Sequence, residues 1–193
     1  MSKSIYLFVD VETTGKNFEP DGTVRENQLL QYTHILCDEQ LQQIHEPIVG
    51  VAALSEREYT NAIESMSEYV RNMHTTTGLL DALKTTDVVS YGVLDNQIMD
   101  TLRPYVEQGY RIIPSGNNVQ FDVEAIRRYL PQTFKTFHYA FFDVTSIRRA
   151  FTLAGVDTAE VIKSQKKSNH DALVDVRECI KEVQALRNAI ANM

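Results

Sequence analysis

Two cysteines, Cys37 and Cys179, are all the chain has. They fit no metal-ligand spacing and no disulfide framework. A structural zinc site and a bridge-stapled secreted scaffold are therefore disfavoured, and a reduced, cytoplasmic setting is expected. Long apolar runs are missing too. The longest, Ile48 to Leu54, has seven residues and includes Gly50, well short of the ~20 that cross a bilayer. No membrane partner is expected. Asp10 and Glu12 break the first apolar segment too early for a signal peptide. Internal repeats and low-complexity segments are absent. Positive charge is in deficit, with a net charge of −7. That argues against gripping long nucleic acid through the overall field. It leaves room for a small site in which metal ions do the neutralising.

What is present suits one sizeable core. The 193 residues are 43% apolar and 23% charged, ordinary for a globular chain and enough for a single domain spanning 1–193. Strands are expected near Ser4–Val11, Leu29–Cys37 and Gln43–Val49. The stretch Lys16 to Asn27, with Pro20, Asp21 and Gly22, reads as a loop within the domain. Ile63, Met66, Val70 and Met73 then share a helical face, as do Leu94, Ile98, Leu102 and Tyr105. Tyr110–Ile113 reads as a strand, Val123–Leu130 as a helix stopped by Pro131, Tyr139–Val144 as a strand and Ser146–Leu153 as a helix. A last helix runs from about Ser168 to Asn192, with Leu173, Val176, Ile180, Val183 and Ile190 on one stripe. Three strands followed by alternating helices and strands imply an α/β fold, a central mixed sheet flanked by helices.

The run Phe8-Val9-Asp10-Val11-Glu12-Thr13-Thr14-Gly15 places two carboxylates at the end of the first strand. Aspartate is a poor strand residue, and a buried acid without a partner is costly or forced neutral. Residues two apart share a strand face, so Asp10 and Glu12 project together near the strand's C-terminal end, where open α/β sheets place their ligands. A lone D-x-E reads as a solvated strand end; it gains meaning only if more acids converge. Asp122 is one candidate, near the start of a helix that follows Gly116-Asn117, although an acid there also suits the helix dipole. Asp175 is another, preceded by His170. Ser168 and Asp171 resemble a capping box that opens this helix. Five residues turn a helix about 140° past a full circle, so His170 must enter from the helix entrance and Asp175 from the first full turn.

Together these residues are D-x-E, then D, then H-x-x-x-x-D. The pattern resembles the DEDDh exonucleases, which have a ribonuclease H-like fold, and is more similar still to the oligoribonucleases. Gly116-Asn117 precedes Asp122 by that family's spacing. Phe137-His138-Tyr139 leading to Asp143-Val144-Thr145, and His170-Asp171-Ala172-Leu173-Val174-Asp175-Val176-Arg177-Glu178, look like family segments. So does Met66-Ser67-Glu68-Tyr69 followed by His74 and Gly78-Leu79.

The resemblance implies a 3′–5′ exoribonuclease that cuts short RNA to 5′-mononucleotides with two divalent cations, magnesium or manganese. Asp10, Glu12, Asp122 and Asp175 would be the oxygen ligands such cations want, and His170 the general base. Tyr139, which in the family reaches across a homodimer, and Tyr69, His74, Lys16, Thr13, Asn118 and Thr145 would meet the nucleotides. The chain departs from the oligoribonucleases in reading E-T-T-G-K, as proofreading exonucleases do, so that Lys16 stands where an apolar residue is usual. Ala140 stands where the family has an arginine that binds a 5′-phosphate. Those departures keep open a broader exonuclease acting on single-stranded DNA or RNA, with substrates beyond dinucleotides. A catalytically silent nucleic-acid-binding module is the third alternative, which the intact set of five residues opposes.

Overall fold

A computed structural model describes residues 3–15, 27–85, 87–159 and 171–191. The expected loop from Lys16 falls outside them except at Asn27. Six strands form one mixed sheet in the order β4-β3-β2-β1-β5-β6. They are β1 (Ser4–Thr13), β2 (Leu29–Cys37), β3 (Ile48–Ala52), β4 (Val88–Val89), β5 (Arg111–Gly116) and β6 (Phe142–Asp143). The first three form an antiparallel meander, and β5 and β6 extend it in parallel on the other edge of β1.

The period-two pattern of β1 sorts its side chains between two layers. Ile5, Leu7, Val9 and Val11 face a core shared with helix α4 (Tyr91–Glu107) and helix α5 (Gln120–Tyr129), through Leu94, Ile98, Leu102, Val123 and Ile126. Phe8 lies on the opposite face with Ile35 and Cys37, against Val176, Cys179, Ile180 and Val183 of the last helix, α8 (Ala172–Ala191). Burying each such aliphatic side chain contributes about 1.5–3 kcal/mol before entropy is counted. Asp10 and Glu12 continue the Phe8 face, so the strand turns from apolar to acidic as it emerges from the core. A register shift between Glu12 and Thr13 marks the change. Glu12 pairs with Gln31 and Thr13 with Leu29, leaving Leu30 as the extra residue on β2. Bulges of this kind re-aim side chains.

Several elements differ from expectation. The third strand begins at Ile48, not Gln43, and runs on to Ala52. Residues 38–42 turn tightly ahead of it, with the Asp38 carboxylate accepting the N–H groups of Gln40 and Gln42. The face assigned to Ile63, Met66, Val70 and Met73 belongs to two helices, α1 (Glu56–Ser65) and α2 (Glu68–Thr76). Met66 is extended, and the Ser67 hydroxyl starts α2 by accepting the Val70 N–H. A short helix, α3 (Leu79–Ala82), follows. Pro131 ends α5 as expected and then opens α6 (Pro131–Thr136), the first-turn role proline suits. The strand expected at Tyr139–Val144 shrinks to Phe142–Asp143, because Asp143 caps α7 (Val144–Leu153) by accepting the Ser146 N–H at 2.6 Å. Ser168 lies outside the described residues. Asp171 itself opens α8, accepting the N–H groups of Leu173 and Val174. On the expected α8 stripe, Val176, Ile180 and Val183 are buried, whereas Ile190 is exposed. Among the described residues no helix is long and apolar enough to cross a membrane.

Candidate active site

The end of β1 loses its ladder partner on one side. Pairing with β5 runs from Ser4 to Phe8 and stops. Gly116, the last residue of β5, comes so close that a Cβ there would lie 2.9 Å from the Val9 carbonyl oxygen, which is why no larger residue fits. The chain then turns through Asn117 and Asn118, the latter with φ of 53°, a left-handed conformation that asparagine tolerates. That turn launches α5 so that the buried Asp122 carboxylate reaches back to the open edge of β1. Its Oδ1 accepts the Val11 N–H at 2.9 Å, in place of the missing strand. Asp122 is thus held beside the residue that separates Asp10 from Glu12.

Asp175, in the first turn of α8, comes to the Asp10 face from the other side. Burial raises the Asp10 pKa to about 7, and the Asp175 charge adds to the effect. Burial likewise raises Glu12 to about 8, reinforced by Asp10, then Asp175 and Asp171. Asp122 is pushed well above the usual carboxylate range by burial and the Asp10 charge, with the Val11 hydrogen bond opposing the shift. The four acids predicted from sequence therefore act on one another across three separate elements.

Their chemistry fits hard cations, which take oxygen ligands. Among the described residues, no three His, Cys, Asp or Glu side chains close on one point as a finished metal cage. Directly opposite Asp10 on β2, Thr33 is fully buried, and among the described residues its Oγ1 makes no hydrogen bond. Among the described residues, the site therefore brings mutually repelling acids together with a buried hydroxyl that has no hydrogen-bond partner.

The remaining predicted residues fall in different places. His170 and Lys16 lie outside the described residues. His74 is 1% exposed; its Nε2 donates to the Thr13 carbonyl at 2.9 Å, and its Nδ1 lies 3.8 Å from Glu12 Oε2. Histidine 74 thus packs behind the acids. Thr13 is also buried, its Oγ1 donating to the Gly15 carbonyl at 2.7 Å. Asn118 is exposed in the turn before Asp122. Thr145 is half-buried in the first turn of α7. Tyr69, on α2, is exposed. Tyr139 is 88% exposed in a bend beside the His138 ring, at 4.4 Å between centroids, so it is not a core strand residue. Sequence reasoning missed the part played by Asp143, which accepts the Val119 N–H through Oδ2 at 3.1 Å while capping α7. Its place in the Asp143-Val144-Thr145 segment, just before a helical pattern, was the available signal.

The six-stranded mixed sheet with its flanking helices is the fold of the ribonuclease H-like exonucleases. E. coli exonuclease I, solved in complex with an oligonucleotide, shares the fold with a TM-score of 0.65 and 18% identity, over 97% of this chain and 41% of that one. Exonuclease I from Methylocaldum szegediense gives 0.63 and 20%, over 96% and 40%. The chain thus spans about two fifths of the length of those proteins. No family model matches it. It is 31% identical to an oligoribonuclease from Tropheryma whipplei, over 94% of this chain and 90% of the relative. With an oligoribonuclease from Cutibacterium acnes it shares 30%, over 95% and 85%. The chain belongs to the oligoribonuclease family, and with it to the hydrolases that act as 3′–5′ exonucleases.

Proposed function

We propose that the protein is a metal-dependent 3′–5′ exoribonuclease that degrades short RNA to 5′-mononucleotides. It would work as one domain over residues 1–193, as a homodimer, in the cytoplasm. The observation that carries this reading is the gathering of Asp10, Glu12, Asp122 and Asp175 at the open end of β1, where burial first and then their mutual charge lift Asp10 to about 7 and Glu12 to about 8. Those four carboxylates would hold two divalent cations, magnesium or manganese. When bound, the cations acidify a water and neutralise charge on the scissile phosphate. His170 would accept the proton of that water. The water oxygen would bond to the terminal phosphorus, the bond to the preceding 3′-oxygen would break with its electron pair on that oxygen, which takes a proton from solvent, and a 5′-mononucleotide would leave. Exposed Tyr139 and Tyr69 offer faces on which bases stack. His74 would support Glu12 from behind. The oligoribonuclease relatives favour RNA as substrate.

A second reading, a broader exonuclease on single-stranded DNA or RNA, is favoured by one residue and one neighbour. Ala140 is exposed and offers no side-chain donor for a terminal phosphate. The E. coli neighbour has been solved with single-stranded DNA, in zinc-bound and metal-free forms.

Labelled RNAs from the dinucleotide upward and a long DNA strand, incubated with manganese, separate the readings. Fast cleavage of the shortest RNA supports the first. A descending ladder on long strands with a slow dinucleotide supports the second. Equal inertness of the native chain and its Asp10→Ala variant would leave only a silent binding module.

A further inference from the structure

A clamp outside the acid cluster ties together the elements that carry it. Glu182 sits on α8 seven residues after Asp175, two turns along and hence on the same helix face. It is 1% exposed, where a carboxylate without a partner is strongly destabilising. Its partner is Arg148 on α7. The guanidinium grips it bidentately, Nε donating to Oε1 at 2.7 Å and Nη2 to Oε2 at 2.8 Å. The same Nη2 donates to Asn117 Oδ1 at 3.0 Å, and Asn117 lies in the turn that launches Asp122.

One guanidinium therefore links α8, which carries Asp175, to the entrance of α5, which carries Asp122. Asp143 fastens the same turn to the start of α7 through Val119 and Ser146. The clamp borders the acids: the buried Cys179 thiol feels the charges of Glu182, Asp10, Arg148 and Asp122 together. Yet the shifts of Asp10, Glu12 and Asp122 trace to burial, neighbouring carboxylates and backbone hydrogen bonds. Arg148 has its charge matched by Glu182, so what it offers the site is geometry.

We propose that Arg148, through Glu182 and Asn117, is a positioning residue that sets Asp175 and Asp122 in register with Asp10 and Glu12 for cation binding. This rests on the reading of the four acids as cation ligands. Only a planar fork makes these three contacts at once, so lysine should replace it poorly.

The test uses the full chain and three readouts: manganese binding by calorimetry without substrate, kcat and KM on a strand the native enzyme degrades, and the melting temperature. In an Arg148→Met/Glu182→Met variant an apolar pair replaces the ions and keeps the core filled. Its melting temperature should stay near native. Manganese affinity and kcat should each fall roughly 10–100-fold, with KM unchanged. Asn117→Ala, which removes only the exposed leg, should move both in the same direction by several-fold, and Arg148→Lys should fall between native and the double variant. A double variant that binds manganese and turns over like native overturns the proposal. If that variant does not fold, native binding and kcat in Asn117→Ala overturn it instead. Should the native chain bind no manganese, the cation reading fails and the proposal falls with it; native binding with an indifferent clamp sinks the proposal alone.

Discussion

Two buried aspartates show how differently one side chain can be used. Asp95, on α4, accepts the N–H groups of Gln132 and Thr133, both at 2.9 Å, and the Thr133 hydroxyl at 2.7 Å. Those donors belong to α6, so the carboxylate caps one helix while pinning it to another. Asp122 is also buried, but its carboxylate accepts only backbone N–H groups among the described residues, those of Val11 and of Asp122 itself, and its charged neighbours are acids that repel it. The first arrangement satisfies its charge within the protein. The second gathers acids that repel one another in their ionised forms, the arrangement the proposed cation site would use.

Removing each carboxylate in turn should give opposite losses. Asp122→Asn should remove several kcal/mol of transition-state stabilisation, a rate loss of roughly 10³-fold, while the cation-free protein melts no lower than native. Asp95→Ala should do the reverse. With three donors stranded, it should cost about 2–4 kcal/mol in urea unfolding, with kcat of the folded fraction within a few-fold of native. Equal stability losses in the two variants would contradict the distinction.

The contrast was half visible in the sequence. Asp10 and Glu12 stood out because period two places them on one face, and the order of the later acids pointed to the same chemistry. What a linear reading could not supply was the backbone contact from Val11 to Asp122, since it depends on β5 ending at Gly116 while β1 continues. Asp95 gave no signal, as its three donors lie nearly forty residues away. Local signals also competed. Met66 fits a continuous helical face, but the Ser67 cap won and split the helix. A strand is expected from Tyr139, but the Asp143 cap claims its end for α7. For His74 the resemblance implies a nucleotide contact, and tertiary packing buries it beside Glu12.

A smaller effect sharpens the same comparison from the surface. Tyr139 is almost fully exposed, so Tyr139→Ala should change stability by less than about 0.5 kcal/mol. If a base stacks on the ring, the loss of about 1–3 kcal/mol should appear as weaker substrate binding. A titration of a short labelled strand onto the cation-free variant reads it directly, and native affinity would remove Tyr139 from the site.

The central claim is that the β1 acids are kept for cations, and thermal melting at two pH values tests it most directly. Folding raises Asp10 from 3.8 to about 7 and Glu12 from 4.5 to about 8, so the fold favours their protonated forms. The stability they contribute is full below about pH 4 and is lost as pH rises through 7 and 8. Without cations, the native chain should therefore melt lower at pH 8.5 than at pH 5.5, and the drop should be shallower in Asp10→Asn. Manganese should raise the native melting temperature far more at pH 8.5, where the carboxylates are ionised and compete with no proton. A native chain whose pH dependence matches that of Asp10→Asn, and which manganese leaves unchanged at both pH values, would contradict the account.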